Sequence, residues 1–169
     1  MAKNPLSANF KLGFLGAGQL ARMSGLQAFR YGIQVGVFSD RDENEPVQFM
    51  TPYSSTGSYD SVDDLTNFAK TCDVLTLENE FIDSKVLRKA QEQSGTKIFP
   101  SPNSFAKIEN KLIEKRTFED AGIPVTPYKL VKTVSDLNAF GQNYGWPYVL
   151  KSSKGGYYGY GNETVSSIE

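Results

Sequence analysis

The first residues whose types and spacing could do chemistry form the run Gly16-Ala17-Gly18-Gln19-Leu20-Ala21. This run matches the pattern GxGxxA between a predicted strand and a predicted helix. Glycines let a ligand approach the backbone, and the N–H groups at a helix N-terminus attract phosphate. Asp40 ends the next predicted strand, where dinucleotide-binding proteins place an acid that contacts ribose. The pattern predicts a nucleotide-binding turn, and the alternative is a tight turn without a ligand.

Two acidic residues, Glu78 and Glu80, follow the apolar run DVLTL, which predicts a buried strand. Ligands of open α/β sheets bind beyond the carboxyl ends of the strands. Alternate residues of an extended chain point to the same side, so both carboxylates would face one ligand. They could accept hydrogen bonds from ribose hydroxyls or from an amine. The alternative is a pair of solvated loop acids.

The second half of the chain offers lysines and a glycine-rich run. Lys111 and Lys115 are four residues apart and would share one helix face, although Glu114 and Glu119 could pair with them on a solvated surface. Lys151 ends a predicted strand, and the run KGGYYGYGN follows it. Backbone N–H groups of such a run can cover a triphosphate. It is not a Walker A loop, and the alternative is a flexible hairpin.

Composition excludes several classes of function. The chain of 169 residues has no histidine and one cysteine, Cys72, which removes Ser-His-Asp catalysis, His-ligated zinc and an intrachain disulfide. With 18 basic and 19 acidic residues there is no basic field to hold nucleic acid or a membrane surface. We therefore expect no nucleic-acid and no membrane partner. The single cysteine fits a cytoplasmic location, and residues 1–9 are predicted to form a flexible leader.

The elements that must position these residues follow an α/β pattern. Strand 10–15, helix 19–31 and strand 33–38 form a β-α-β unit, which implies a parallel pair with a right-handed crossover. Further strands are predicted at 53–57, 73–77 and 97–99, with helices at 61–70 and 84–93. Residues 10–102 are therefore predicted to form an open, mostly parallel, Rossmann-like α/β sheet.

The pattern changes after residue 102. A long amphipathic helix is predicted at 104–121, a strand at 127–131 and a helix at 135–144. Strands at 148–151 and 164–168 flank the glycine-rich run and predict a hairpin. Residues 103–169 are therefore predicted to form a linker helix and the start of an α+β subdomain.

Taken in order, five motifs resemble the N-terminal part of ATP-grasp enzymes of the carboxyaminoimidazole ribonucleotide synthase family. They are GFLGAGQLARM, DVLTLENE, FPSPNSFAKIENKLIEK, GIPVTPY and GWPYVLKSSKGGYYGYGN. The resemblance covers about residues 10–165 and implies a pre-ATP-grasp substrate domain at 10–102 and an incomplete ATP-grasp small subdomain at 103–169. It implies a purine-biosynthesis ligase that carboxylates 5-aminoimidazole ribonucleotide with bicarbonate and ATP. The reaction would run through carboxyphosphate and release ADP and phosphate.

The resemblance also implies site residues. The substrate-binding set is Gly16, Gly18, Gln19, Leu20 and Glu78, with the glycine turn beside the substrate phosphate. Lys111 and Lys151 match two basic residues that hold ATP phosphates. The loop that closes over these phosphates comprises Gly156, Tyr157, Tyr158, Gly159, Tyr160, Gly161 and Asn162. Magnesium is the second implied cofactor, with ligands expected in a C-terminal part, so neither a metal ligand nor a catalytic residue is assigned.

Some features depart from the family pattern. Tyr158 and Tyr160 stand where the family usually has an acidic and a basic residue. We expect this fragment to be inactive alone and the full-length protein to be a homodimer. Rival hypotheses are a formate-dependent glycinamide ribonucleotide transformylase, whose motif reads GEL in place of Gly18-Gln19-Leu20, and a non-catalytic NAD- or nucleotide-binding module. A degenerate protein that only binds a partner is a third.

Overall fold

A computed structural model describes residues 4–5, 7–41, 45–78, 81–155 and 161–167. The chain divides into two compact units, Met1–Ala106 and Lys107–Glu169. The first unit is an α/β domain with a parallel sheet, which confirms the predicted fold class. No helix in the described residues has both the length and the hydrophobicity to cross a membrane.

The sheet of the first unit has five parallel strands in the order β3-β2-β1-β4-β5. Their bounds are β1 Lys11–Leu15, β2 Gln34–Ser39, β3 Tyr53–Thr56, β4 Val74–Leu77 and β5 Lys97–Phe99. The chain adds β2 and β3 on one side of β1 and then β4 and β5 on the other, so the direction in which strands are added reverses beside β1. In open sheets this reversal opens a crevice at the carboxyl ends of the strands, where ligands bind.

Helices cover both faces of this sheet. They are α1 Gln19–Arg30, α2 Val62–Ala69, α3 Ser84–Ser94 and the short α4 Pro102–Phe105, with a 3-10 turn at Gln48–Met50. Neighbouring strand residues point to opposite faces. Phe14 therefore packs in the cluster that includes Ala21 of α1, whereas Leu15 packs in the cluster that includes Leu65 of α2 and Leu87 of α3. This two-sided core fixes the sheet edge on which the predicted ligand residues lie.

Local capping accounts for two of these helix ends, and at the start of α2 it confirms the predicted one. The Ser61 side chain accepts a hydrogen bond from the Asp64 backbone N–H at the start of α2, as its position predicts. Gly95 follows α3 with a left-handed φ of 74°. Short-range chemistry of this kind needs no tertiary partner, so the sequence pattern locates these ends well.

The second unit holds two helices and a hairpin. Their bounds are α5 Lys111–Asp120, α6 Val134–Tyr144, β6 Tyr148–Lys151 and β7 Asn162–Val165, and the two strands pair antiparallel. The aromatic rings of Phe140, Tyr144, Trp146 and Tyr148 contact one another beside the hairpin. A Cβ at Gly141 would overlap the Trp146 ring, so this glycine lets the indole lie against α6.

Two predicted elements of the second half are wrong. Residues 104–121 do not form one helix, because Asn110 is extended and its side chain caps a new helix at Leu112 and Ile113. Residues 127–131 are described by the structure and carry no strand. The residue just before them contacts α5 instead, since the Thr126 hydroxyl accepts a hydrogen bond from the Lys115 ammonium group. The returning strand also starts at residue 162 and not at 164, so Asn162 lies opposite Lys151.

Candidate functional site

The glycine turn connects β1 to α1 at the carboxyl edge of the first unit's sheet. Gly16 has a φ of 125°, a conformation that favours glycine, and its N–H donates to the Phe38 carbonyl oxygen at 2.9 Å. Gly18 is the N-cap residue of α1 and has no side chain with which to cap it. The turn therefore presents the first N–H groups of α1 to whatever lies at the end of β4.

The group at the end of β4 is the side chain of Glu78. The Glu78 N–H donates to the Leu15 carbonyl oxygen at 3.0 Å, which continues the pairing of β4 with β1. The carboxylate turns back over the glycine turn, where Oε2 accepts from the Gly18 N–H at 2.8 Å and Oε1 from the Leu20 N–H at 3.1 Å. The structure thus brings Gly16, Gly18, Leu20 and Glu78 together.

The other predicted residues of this edge are Gln19, Asp40 and Glu80. Gln19, the fifth member of the predicted substrate set, is the first residue of α1 and is exposed. Asp40 is exposed and follows β2 directly. Glu80 lies outside the described residues. The carboxyl edge therefore carries Glu78 against the turn and Asp40 one strand away.

The sequence patterns did not indicate Tyr59, which lies at the same edge. Its hydroxyl donates to the Phe38 carbonyl oxygen at 3.2 Å, and its ring contacts the Phe38 ring. Burial raises the pKa of the Tyr59 phenol, and the negative charges of Asp40, Glu78 and Glu45 raise it further. Three carboxylates therefore lie near enough to Tyr59 to act on its phenol. No periodicity or motif marks it, because it lies in the loop before α2.

The glycine-rich run of the second unit is anchored by Lys111, the first residue of α5. Its backbone N–H donates to the Ser153 carbonyl oxygen at 2.8 Å, and its ammonium group donates to the Gly155 carbonyl oxygen at 2.9 Å. Nearby, the ammonium group of Lys154 lies 3.4 Å from the carboxylate of Glu109. Lys111, half-buried, is therefore placed at the base of the run and not on a solvated helix face.

Lys151 and the end of the glycine-rich run lie on the hairpin. Lys151 is exposed at the end of β6, opposite Asn162, the first residue of β7. The Gly161 carbonyl oxygen accepts from the Ser152 N–H at 2.9 Å and so closes the base of the hairpin. Lys111, Lys151, Gly161 and Asn162 thus belong to one unit. The other predicted loop residues, Gly156, Tyr157, Tyr158, Gly159 and Tyr160, lie outside the described residues.

The remaining candidates have other surroundings. Lys115 donates to the Thr126 hydroxyl at 2.9 Å, and Glu119 accepts from the Tyr128 hydroxyl. Cys72 is buried, and burial raises the pKa of its thiol, as for a packed and unreactive cysteine. In the part of the chain that the structure describes, no three acidic or cysteine residues are grouped to hold a metal ion.

The five-stranded parallel sheet, wound in both directions from β1 and covered by helices on both faces, places the first unit in the class of Rossmann-like open α/β domains. The family model described as "Ribonucleotide synthetase preATP-grasp domain" matches residues 10–109. The chain belongs to this family.

Individual relatives agree with the motif resemblance. The phosphoribosylaminoimidazole carboxylase of Ogataea methanolica is 35% identical over 156 residues, which cover 91% of this chain and 29% of that protein. The crystal structure of carboxyaminoimidazole ribonucleotide synthase from Aspergillus clavatus complexed with ATP is 35% identical with a TM-score of 0.85, covering 95% of this chain and 42% of that one. The resemblance predicted from the motifs is thereby confirmed, and the chain spans less than half the length of these relatives.

A second structure of the Aspergillus clavatus protein holds two ligands. It is described as a complex with ADP and 5-aminoimidazole ribonucleotide. It is 34% identical to this chain with a TM-score of 0.82, and the match covers 96% of this chain and 42% of that one.

Proposed function

We propose that this chain is the N-terminal part of a carboxyaminoimidazole ribonucleotide synthase, an ATP-dependent carbon–nitrogen ligase of purine biosynthesis. The observation that carries the proposal is the match, over 96% of this chain, to a relative complexed with ADP and 5-aminoimidazole ribonucleotide. The reaction would use bicarbonate and ATP. A bicarbonate oxygen attacks the γ-phosphorus and ADP leaves; the ribonucleotide amine then attacks the carboxyl carbon, loses a proton and expels phosphate.

The first unit would supply the substrate side. Its set is Gly16, Gly18, Gln19, Leu20 and Glu78, at the carboxyl edge where the sheet order reverses. The crevice at such a reversal is where open α/β sheets bind ligands. Its glycine turn is held by Glu78 and so presents a fixed surface to the ribonucleotide.

The second unit would supply part of the ATP side. Lys111 and Lys151 would neutralise charge on the ATP phosphates, and Gly161 and Asn162 would contact these phosphates together with residues 156–160 of the glycine-rich run. An ammonium group has three protons, so Lys111 can keep its bond to the Gly155 carbonyl and add a phosphate oxygen. Positive groups placed where charge develops lower the barrier of phosphoryl transfer. Bound magnesium would polarise the transferred phosphoryl group.

The same proposal includes features of the longer protein. Bicarbonate as a substrate, magnesium with ATP, a homodimeric assembly and a cytoplasmic location follow from the resemblance. We further propose that the 169-residue chain alone is inactive. The support for this proposal is coverage, since the chain spans 42% of the Aspergillus clavatus relative.

A chimera tests the proposal. The 169-residue chain is fused to the part of the Aspergillus clavatus protein beyond the match, and ADP formation is measured. We expect turnover that requires both 5-aminoimidazole ribonucleotide and bicarbonate, and none from the chain alone. Glycinamide ribonucleotide with formate serves as the control for the transformylase rival.

Two results would contradict the proposal. One is turnover by the chimera with glycinamide ribonucleotide and formate in place of the proposed substrates. The other comes from calorimetry on the chain, where tight NAD binding without ribonucleotide binding would favour the nucleotide-binding module. Turnover by the isolated chain would contradict only the proposal that this chain is inactive by itself.

A further inference from the structure

The N-terminus of α1 already has an anion, supplied by its own chain. An α-helix begins with N–H groups that lack partners within the helix and carry partial positive charge. In α1 the N-cap is Gly18, which offers no side chain, and no acidic residue lies in the first turn. The carboxylate of Glu78 takes this place by accepting from the Gly18 and Leu20 N–H groups at 2.8 and 3.1 Å.

The glycines of the turn fit this carboxylate. A Cβ at Gly16 would overlap Oε2 of Glu78 and would lie 2.5 Å from the Glu78 Cβ. A Cβ at Gly18 would lie 2.6 Å from Oε1 of Glu78. Real Cβ atoms do not approach other atoms so closely. Both glycines are therefore explained by the approach of the glutamate, without a phosphate in the turn.

The charge around the turn also opposes a second anion. Tyr59 lies at this edge, and Asp40, Glu45 and Glu78 each raise the pKa of its phenol. Arg41 lies 3.4 Å from Glu45 and so is paired with one of these carboxylates. A phosphate placed at the turn would have to displace Glu78 and would face the other acids.

We propose that Glu78 is a positioning residue that acts as the resident anion of the α1 N-terminus and closes the glycine turn to phosphate and pyrophosphate. The link to the ribonucleotide rests on the proposed function, whereas the cap follows from contacts within the first unit. The substrate phosphate would then bind elsewhere, and the turn would not hold a dinucleotide such as NAD.

The test uses the 169-residue chain with three variants: Glu78→Ala, Glu78→Gln and, as a control, Glu92→Gln at an exposed position of α3. Amide exchange and chemical shifts of Gly18 and Leu20 are followed by NMR. We expect exchange at these two amides to quicken about tenfold or more in Glu78→Ala, less in Glu78→Gln, and not at all in the control. The unfolding midpoint of Glu78→Ala should fall by about 3 °C or more.

Inorganic phosphate is the second probe. It should cause no saturable shift at Gly18 or Leu20 of the wild-type chain, and NAD should cause none. In Glu78→Ala it should bind at the vacated N-terminus, shift both amides and recover part of the lost midpoint. A residue that only fills space would show no such rescue.

Clear results would overturn the proposal. These are saturable phosphate or NAD shifts at Gly18 and Leu20 in the wild-type chain, or unchanged amide exchange in both Glu78 variants. If Glu78→Ala fails to fold, Glu78→Gln and the wild-type titrations decide. None of these readouts uses ribonucleotide or turnover, so an inactive chimera would count against the proposed function and leave the cap standing.

Discussion

Lys111 donates from its ammonium group to the backbone oxygen of Gly155 at 2.9 Å, although 44 residues separate them. Its backbone N–H also donates to the Ser153 carbonyl oxygen. The start of α5 and the base of the glycine-rich run are thereby joined at one residue. An ammonium group has three protons, so a lysine with this contact can also bind a phosphate oxygen, as the proposed function requires.

Replacing this lysine should weaken the use of ATP. In the chimera, Lys111→Met should raise the KM for ATP about tenfold or more, since a hydrogen bond to a charged group contributes about 1.5 kcal/mol or more. The control is Lys115→Met, one turn further along α5, whose ammonium group donates to Thr126. Steady-state kinetics measure both. Equal effects of the two substitutions would show that Lys111 has no special relation to ATP.

The centre of β1 should not tolerate a methyl group at Gly13. A Cβ there would overlap Cδ2 of Leu75 and lie 2.7 Å from Sγ of Cys72. We expect Gly13→Ala to destabilise the first unit by about 1–3 kcal/mol, measured by urea unfolding. Gly25→Ala, inside α1, is the matched control, because the atom outside this helix nearest to its Cβ would be Cγ1 of Val35 at 3.7 Å, an ordinary van der Waals contact. It should stabilise by about 0.5–1 kcal/mol, so equal losses would contradict this packing.

The two units should differ in their protection from hydrogen exchange. The buried apolar side chains of the described residues run from Phe10 to Phe105 and so all lie in the first unit. Regions with few buried apolar contacts open at lower free energy. Amides of β6 and β7 should therefore exchange at least about tenfold faster than those of β1 and β4 in the 169-residue chain. Equal protection would mean that the hairpin opens only with the sheet.

Acid should weaken the second unit through Asp136. Hydrogen bonds to its carboxylate, first from the Lys132 N–H and then from the Thr133 side chain and Lys129, lower its pKa from 3.8 to about 2. Because the folded pKa is depressed, the stability that Asp136 adds is present above its ordinary pKa and is lost as pH falls towards 2. The pH dependence of α6 unfolding, followed by circular dichroism, measures this.

The matched substitutions separate Asp136 from general acid effects. Asp136→Asn should remove this part of the pH dependence, since the capping box with Thr133 then lacks its charge. Asp120→Asn, at the exposed end of α5, should keep it. If Asp136→Asn lost as much stability at low pH as the wild-type chain does, the hydrogen bonds to the charged Asp136 carboxylate would not stabilise the helix.

Much of the first unit could be predicted because its signals are local. The apolar runs of the strands, the Ser61 cap of α2 and the glycine turn before α1 each depend on a few neighbouring residues. The second half was less predictable. Asn110 starts a new helix inside an unbroken apolar pattern, and residues 127–131 have the composition of a strand but no ladder. A strand forms only where a second strand pairs with it, and the composition of a segment does not show whether such a second strand lies beside it.

The sequence by itself determined the α/β pattern, the glycine turn, the acids after β4 and the order of motifs that places the chain in its family. Only the tertiary structure decided what those residues do to one another. Glu78 reaches the Gly18 N–H across 60 residues because β4 pairs with β1, and Lys111 reaches Gly155 across 44. Such contacts depend on strand order and chain return, which no local pattern encodes. The glycine turn, whose sequence predicts a phosphate site, thus already binds the carboxylate of Glu78.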